Sequence, residues 1–213
     1  MERISSISNS LTSSKKDRVV RDSLVYFRVN ELLGVKGQKI TEKLRNVLQS
    51  SINPLLDDYL EKAEFPEKVI EVFKAHNLGH YFVDEELGYG SDSFERAAIV
   101  LELARINASV STLLMVQTKL CMRTIELYGS EKQKSHYLPL LRDFDIIGGW
   151  GLTEDDNGSD ASNMQSTVRY ENGNYILNGN KRWIGNANKV KIQIRLLLGY
   201  YHCLCQECGE QPG

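Results

Sequence analysis

The hydrophobic period of this chain changes near Asp145, and that change limits what the chain can fold into. Before it, apolar residues recur every three or four positions, which is the pattern of helices with one buried face. After it, short apolar runs alternate with Asn-Gly turns, which is typical of strands and hairpins. Helices followed by strands predict an α+β protein and not a doubly wound sheet. The clearest helical positions are Phe94, Ala97, Ala98, Leu101 and Ala104, followed by Val110, Leu113, Leu114, Cys121 and Ile125.

The helical part is predicted to form an α-helical bundle over residues 26–144. Pro54 interrupts an apolar stripe, so we expect the helix to bend or break there. Ser130 and Gln133 have the spacing of a capping box, which predicts that a helix begins just after Ser130.

The part after the period change is predicted to form an incomplete antiparallel β domain over residues 145–188. Thr167–Tyr170 and Tyr175–Leu177 flank an Asn-Gly turn, which predicts a hairpin. A second Asn-Gly turn precedes a further apolar run at 181–184. Residues 189–213 lack any comparable pattern, and we expect them to lie outside the β domain.

Composition excludes some classes of function. The chain has 213 residues, of which 41% are hydrophobic and 25% charged, as in an ordinary soluble globular protein. Its formal net charge of -2 gives no reason to expect nucleic acid or an anionic membrane as partner. No apolar run approaches the roughly 18 residues of a membrane span. Residues 1–25 are rich in serine and contain a basic cluster, so we predict a disordered terminus, with an organelle transit segment as the alternative.

The loop after the first predicted strand carries four acids, and a solvated turn is its simplest interpretation. A calcium site is the alternative from spacing, but Thr153 and Met164 would then stand where an EF-hand needs acidic ligands. Histidine is absent from the loop, so the pattern of a zinc site is absent too. We therefore predict no metal here. The four acids are Glu154, Asp155, Asp156 and Asp160.

The only two tryptophans, Trp150 and Trp183, each lie beside small residues at the edge of a predicted strand. Core packing is one interpretation. The other is a planar wall for a flat aromatic ligand, with hydroxyl and amide donors around its rim.

Two segments, Trp150–Asp160 and Asn178–Asn186, resemble the paired signatures of acyl-CoA dehydrogenases and oxidases. Gly129–Lys134 is also similar to that family. Glu61–Pro66 and Gly88–Gly90 look closest to plant peroxisomal short-chain acyl-CoA oxidases. The resemblance covers roughly residues 26 to 188.

The resemblance implies FAD as the cofactor. Trp150 and Leu152 would lie beside the flavin, with the Thr153 hydroxyl toward its pyrimidine side. Gly158 and Ser159 would contact the pyrophosphate, and Ser159 also the pantetheine arm of the acyl-CoA. The remaining flavin contacts, near N5, would come from Trp183, Ile184 and Gly185.

The resemblance also implies an activity, the oxidation of an acyl-CoA to a trans-2-enoyl-CoA in fatty-acid β-oxidation. In the family, a C-terminal helical bundle supplies the glutamate that removes the α-proton and most of the homo-oligomer contact. This chain lacks a corresponding segment, so we predict no catalytic residue within it and expect it to be inactive. The alternative is a non-catalytic fragment that acts as a helical association module.

Two departures from the family pattern lie inside the signatures. Asp155 replaces the usual proline after Thr-Glu, which loosens the turn. Gly185 stands where dehydrogenases usually carry Thr or Ser, which favours the oxidase-like branch.

The tail is predicted to show no family character after Asn188. Residues 189–213 look like translated non-coding sequence, and the cluster of His202 with Cys203, Cys205 and Cys208 is interpreted as accidental, with zinc as the alternative. The resemblance implies a peroxisomal protein, although the chain ends without a targeting tripeptide; the cytoplasm is the alternative.

Overall fold

The computed structural model of this chain describes residues 29–62, 64–65, 67–195 and 206–207. The predictions for residues 1–25 and for the cysteine cluster of the tail therefore lie outside the described residues. The described helices are α1 (Val29–Leu32), α2 (Val35–Val47), α3 (Asn53–Lys62), α4 (Glu67–Ala75), α5 (Ser93–Ile106), α6 (Ala108–Met115), α7 (Arg123–Tyr128) and α8 (Glu131–Arg142). The strands are β1 (Ile147–Gly151), β2 (Thr167–Glu171), β3 (Asn174–Asn178), β4 (Val190–Arg195) and β5 (Gln206–Glu207).

Two π-helical turns interrupt what would otherwise be continuous helices. Leu48–Ile52 joins α2 to α3, and Val116–Met122 joins α6 to α7. The first lies immediately before Pro54. Proline lacks an N–H and its ring crowds the carbonyl of the preceding turn, and a wider turn beside it leaves more room for the ring. The predicted bend at Pro54 thus takes the form of a π-helical turn, and the helical path continues.

Local capping fixes where the later helices begin. The Asp92 carboxylate accepts the Glu95 N–H at the start of α5, and the Asn107 side chain accepts the first N–H groups of α6. Ser130 and Gln133 form the predicted capping box at the start of α8. These side chains satisfy N–H groups that have no partner inside their helix.

The helices pack around one main apolar cluster. Phe73 is fully buried at its centre and meets Phe144 edge to face, with ring centroids 5.5 Å apart. A second, smaller cluster lies beneath β1 and includes Cys121, Leu141 and Trp150. The helical part therefore has a core of its own, and β1 lies against its edge.

The strands form two separate sheets. β2 and β3 make the predicted antiparallel hairpin, whose turn residues Asn172 and Gly173 both have positive φ, as a two-residue Asn-Gly turn requires. β1 pairs with β4 in parallel, and β5 pairs with β4 antiparallel.

The predicted α+β class, with a helical bundle before a small β part, is confirmed. Two details differ from the expectation of an all-antiparallel region. The pairing of β1 with β4 is parallel because the long connection between them, residues 152–189, returns the chain to the same end of the sheet. The run at 181–184 is a loop and not a strand, and Trp183 within it has a φ of 59°.

Strand β4 also lies beyond Asn188, in the segment predicted to fall outside the β domain.

None of the described helices is both long enough and apolar enough to cross a bilayer.

Candidate functional site

The beginning of β1 is held against the helical part by one buried glutamine. Gln117, in the second π-helical turn, is fully buried. Its amide nitrogen donates to the carbonyls of Leu141 (2.8 Å) and Ile146 (2.9 Å), and its amide oxygen accepts the Gly148 N–H at 2.7 Å. A single side chain thus satisfies three backbone groups at the junction of the helical and β parts.

Gly148 allows β1 to come this close to the helix. A Cβ atom at this position would lie 2.3 Å from Cys121 Sγ and 3.0 Å from Leu141 Cδ2. Both neighbours are buried and packed, so only glycine permits this contact. Strand β1 is therefore aligned before it delivers Leu152 and Thr153 into the loop.

The loop after β1 is anchored by a buried ion pair. Lys181 Nζ lies 2.7 Å from Glu154 Oε1, and the two side chains are 3% and 5% exposed. The Glu154 carboxylate also accepts the N–H of Gln165, and both the N–H and the hydroxyl of Ser166. The Lys181 ammonium donates further to the Leu152 carbonyl at 3.0 Å and contacts Met164 Sδ at 3.2 Å.

These contacts set the charge of Glu154. Burial acts to raise the pKa of its carboxyl group, but the hydrogen bonds from Lys181, Ser166 and the Gln165 N–H outweigh burial and lower the pKa to about 2. The carboxylate is therefore ionised throughout the neutral range.

A second set of contacts joins the loop to the segment 181–186. The Arg182 N–H donates to the Thr153 carbonyl at 2.9 Å, and the Arg182 guanidinium lies 2.7 Å from the Asp155 carboxylate. The same guanidinium lies 4.5 Å from the centre of the Trp183 ring. Thr153 and Trp183, predicted to share a site, are thus joined through Arg182.

The two tryptophans differ sharply in exposure. Trp183 is 80% exposed. Trp150 packs on the smaller cluster, and its indole N–H is buried without a hydrogen-bond partner among the described residues. The Asn157 side-chain nitrogen of the adjacent loop is also buried and, within the described part of the chain, has no partner. The site therefore offers one uncovered aromatic ring and two unused buried donors.

The remaining predicted residues occupy the rims of this arrangement. Gly158 and Ser159 are exposed, and a Cβ on Gly158 would meet no atom of the described residues within 4 Å. Ile184 and Gly185 are partly buried, and Gly185 lies against Val116, whose Cγ2 would be 3.1 Å from a Cβ atom. Two of the loop acids are paired with basic side chains, which a calcium site would not allow: Glu154 with Lys181, and Asp155 with Arg182. In the described ranges, no group of three or more His, Cys, Asp or Glu side chains is placed to hold a metal ion.

Sequence reasoning missed the residues that hold the site together. Glu154 was grouped with the solvated acids, and neither Gln117 nor Lys181 was singled out. The available signal was modest: a polar residue, Gln117, inside an apolar helical stripe, and a lysine beside Arg182 and Trp183 in a short segment between turns.

Two domain models of one family match the chain. The acyl-CoA dehydrogenase N-terminal domain matches residues 36–144, and the acyl-CoA dehydrogenase middle domain matches residues 149–199. The chain therefore belongs to the acyl-CoA dehydrogenase family. The second match continues past Asn188, where the sequence predicted that family character ends; that boundary stays a prediction.

Individual relatives agree with the family assignment. The chain is 33% identical over 156 residues to an acyl-CoA dehydrogenase of Bacillus subtilis, covering 73% of this chain and 41% of the relative. It is 33% identical over 161 residues to glutaryl-CoA dehydrogenase of Desulfococcus multivorans, covering 74% of this chain and 41% of that protein. The structure of a glutaryl-CoA dehydrogenase from Mycobacterium smegmatis in complex with FADH2 superposes with a TM-score of 0.74 at 28% identity, over 79% of this chain and 44% of that one.

The chain thus spans about 41% of the length of the curated relatives named above. Both relatives are bacterial proteins named as dehydrogenases, so they do not support the predicted likeness to plant peroxisomal oxidases, which stays a prediction.

Proposed function

We propose that this chain supplies one face of the FAD site of an acyl-CoA-oxidising flavoenzyme. The single observation that carries the proposal is the joining of the loop 152–159 to the segment 181–186 beside an uncovered tryptophan ring. The whole protein would convert an acyl-CoA to a trans-2-enoyl-CoA in fatty-acid β-oxidation, with the flavin accepting the hydride from the β-carbon.

The residues present fit a flavin. Trp183 offers a flat apolar surface that is 80% exposed, and among the described residues Arg182 lies over its ring. The buried N–H of Trp150 and the amide of Asn157 are donors without acceptors among the described residues, and the rim of an isoalloxazine carries acceptor atoms. Stacking on a planar ring with a few polar contacts at its edge is how proteins commonly bind flat cofactors.

Four of the remaining predicted residues would lie along the ring and the pyrophosphate. The Leu152 side chain and the Thr153 hydroxyl would lie at the end of β1 beside the ring. Gly158, whose Cβ position lies more than 4 Å from every atom in the described part of the chain, would allow the pyrophosphate to approach the backbone. Ser159, which is exposed, would contact both the pyrophosphate and the pantetheine arm of the acyl-CoA.

Gly185 bears on the choice between oxidase and dehydrogenase. The resemblance implies that a hydroxyl at this position bonds flavin N5 in dehydrogenases. A side chain here would require Val116 to move by a few tenths of an ångström, so the local packing favours glycine. The oxidase branch, a peroxisomal location and a homo-oligomeric whole protein are parts of this proposal.

Removing the exposed ring tests the proposal. In a titration of the purified chain with FAD, followed by flavin fluorescence, we expect Trp183→Ala to weaken binding at least about tenfold, because stacking on an aromatic ring contributes on the order of 1–3 kcal/mol. Trp183→Phe keeps a ring and should retain most of the affinity.

The matched control is Tyr170→Ala, which removes another exposed aromatic side chain (65% exposed) from the hairpin. It should leave FAD binding unchanged. Equal FAD affinity of Trp183→Ala and the unmodified chain would contradict the proposed site. Absence of FAD binding by the unmodified chain would favour the non-catalytic alternative.

A further inference from the structure

We infer that the buried pair of Glu154 and Lys181 is a positioning device that holds the two flavin-binding segments in register, an inference that rests on the proposed function. Neither residue is assigned a contact with the cofactor. Their effect on FAD would be indirect, through the backbone of the loop 152–159 and the segment 181–186.

The contacts of Lys181 reach two other segments, the loop 152–159 and the turn that ends at Met164. Its ammonium has three protons, and the structure gives it three acceptors: the Glu154 carboxylate, the Leu152 carbonyl and Met164 Sδ. Leu152 follows β1 directly, and Met164 ends the short turn before the hairpin. The ammonium is therefore fully used in holding the chain around it.

The contacts of Glu154 complete the same junction. Its two oxygens accept from Gln165 and Ser166, which lead into β2, as well as from Lys181. Next to this pair, the Arg182 N–H donates to the Thr153 carbonyl. One carboxylate and one ammonium thus connect the end of β1, the entry to the hairpin and the exit from it.

Apolar packing does little to hold these segments together. The buried and partly buried members of the two described apolar clusters extend along the chain only as far as Trp150. The described side chains of β2 and β3 are almost all exposed. Gly185 does lie against Val116, but the described contacts that join the segments between residues 152 and 186 to each other are mainly polar. This pair is the most buried of the described salt bridges there.

A positioning role also explains why the pair is charged. Two buried charges often stabilise a protein no more than a well-packed apolar pair would, because each loses its hydration. Directional hydrogen bonds to several segments do select one arrangement, and the loss of either partner leaves the other charge buried alone.

The test uses Lys181→Met, with Lys181→Arg as the conservative variant and Glu154→Gln as a second way to break the pair if the first fails to fold. We expect Lys181→Met to weaken FAD binding at least about tenfold, which is about 1.4 kcal/mol, and to change the visible circular dichroism of bound flavin. Lys181→Arg should restore part of both signals.

The matched control is Arg45→Met. It breaks another cation–carboxylate contact, in which Arg45 reaches the buried Glu102 at 2.7 Å, in the helical part. We expect it to lower the melting temperature and to leave the dissociation constant for FAD within about twofold. Equal weakening by Arg45→Met, or unchanged FAD affinity in folded Lys181→Met and Glu154→Gln, would overturn the inference.

Amide hydrogen exchange without FAD separates this inference from the proposed function. Lys181→Met should speed exchange in residues 152–166 and 181–186, and Arg45→Met should not. If the unmodified chain fails to bind FAD, the proposed function fails and the exchange result decides the positioning role: unchanged exchange in Lys181→Met overturns it.

Discussion

Replacing Gln117 with leucine is expected to lower the free energy of unfolding by about 3 kcal/mol. Leucine has a side chain of similar volume, but the substitution removes three hydrogen bonds at a fully buried position. The Gly148 N–H and the carbonyls of Leu141 and Ile146 would lose their partner, and each unpaired buried group costs on the order of 1–3 kcal/mol unless the structure relaxes. Urea denaturation followed by circular dichroism measures the change.

The matched control is Gln49→Leu, since Gln49 lies in the other π-helical turn with an exposed side chain. This change should alter stability by no more than about 0.5 kcal/mol. Equal stability of Gln117→Leu and the unmodified chain would mean that Gln117 does not hold β1 against the helix.

Gly148→Ala is expected to destabilise the chain by about 2 kcal/mol, a typical cost of overpacking a core. The added methyl group would lie 2.3 Å from Cys121 Sγ, so the strand or the helix must move. Cys121→Ala in the same chain should recover part of this loss, because it removes the sulfur atom that the methyl group would meet. Thermal unfolding of the single and double variants measures both effects.

Gly158→Ala is the control for the glycine substitution itself, because its Cβ position is open. It should leave the melting temperature nearly unchanged. It should also weaken FAD binding, because the proposed function places the pyrophosphate against Gly158. A Gly148→Ala variant as stable as Gly158→Ala would contradict the close packing of β1 on the helix.

The sequence predicted those features that neighbouring residues determine. The capping box at Ser130 depends on a side chain three residues away, and the hairpin turn at Asn172-Gly173 depends on backbone that only a few residue types adopt. The change from helical to strand-like period follows the burial of one face, so it is also visible in the sequence.

The features that it did not predict depend on partners distant in the chain. Gln117 meets Gly148 31 positions later, and Lys181 meets Glu154 27 positions earlier. The parallel pairing of β1 with β4 depends on the path of the whole connection between them. The resemblance to a family named the loop residues as a site, but the contacts that align them required the structure.

Amide hydrogen exchange of the unmodified chain, with and without saturating FAD, tests the central claim most directly. We expect FAD to slow exchange mainly in residues 152–159 and 181–186, and little in the hairpin strands β2 and β3. Unchanged exchange in both segments, with FAD bound, would contradict the claim that together they form the flavin face.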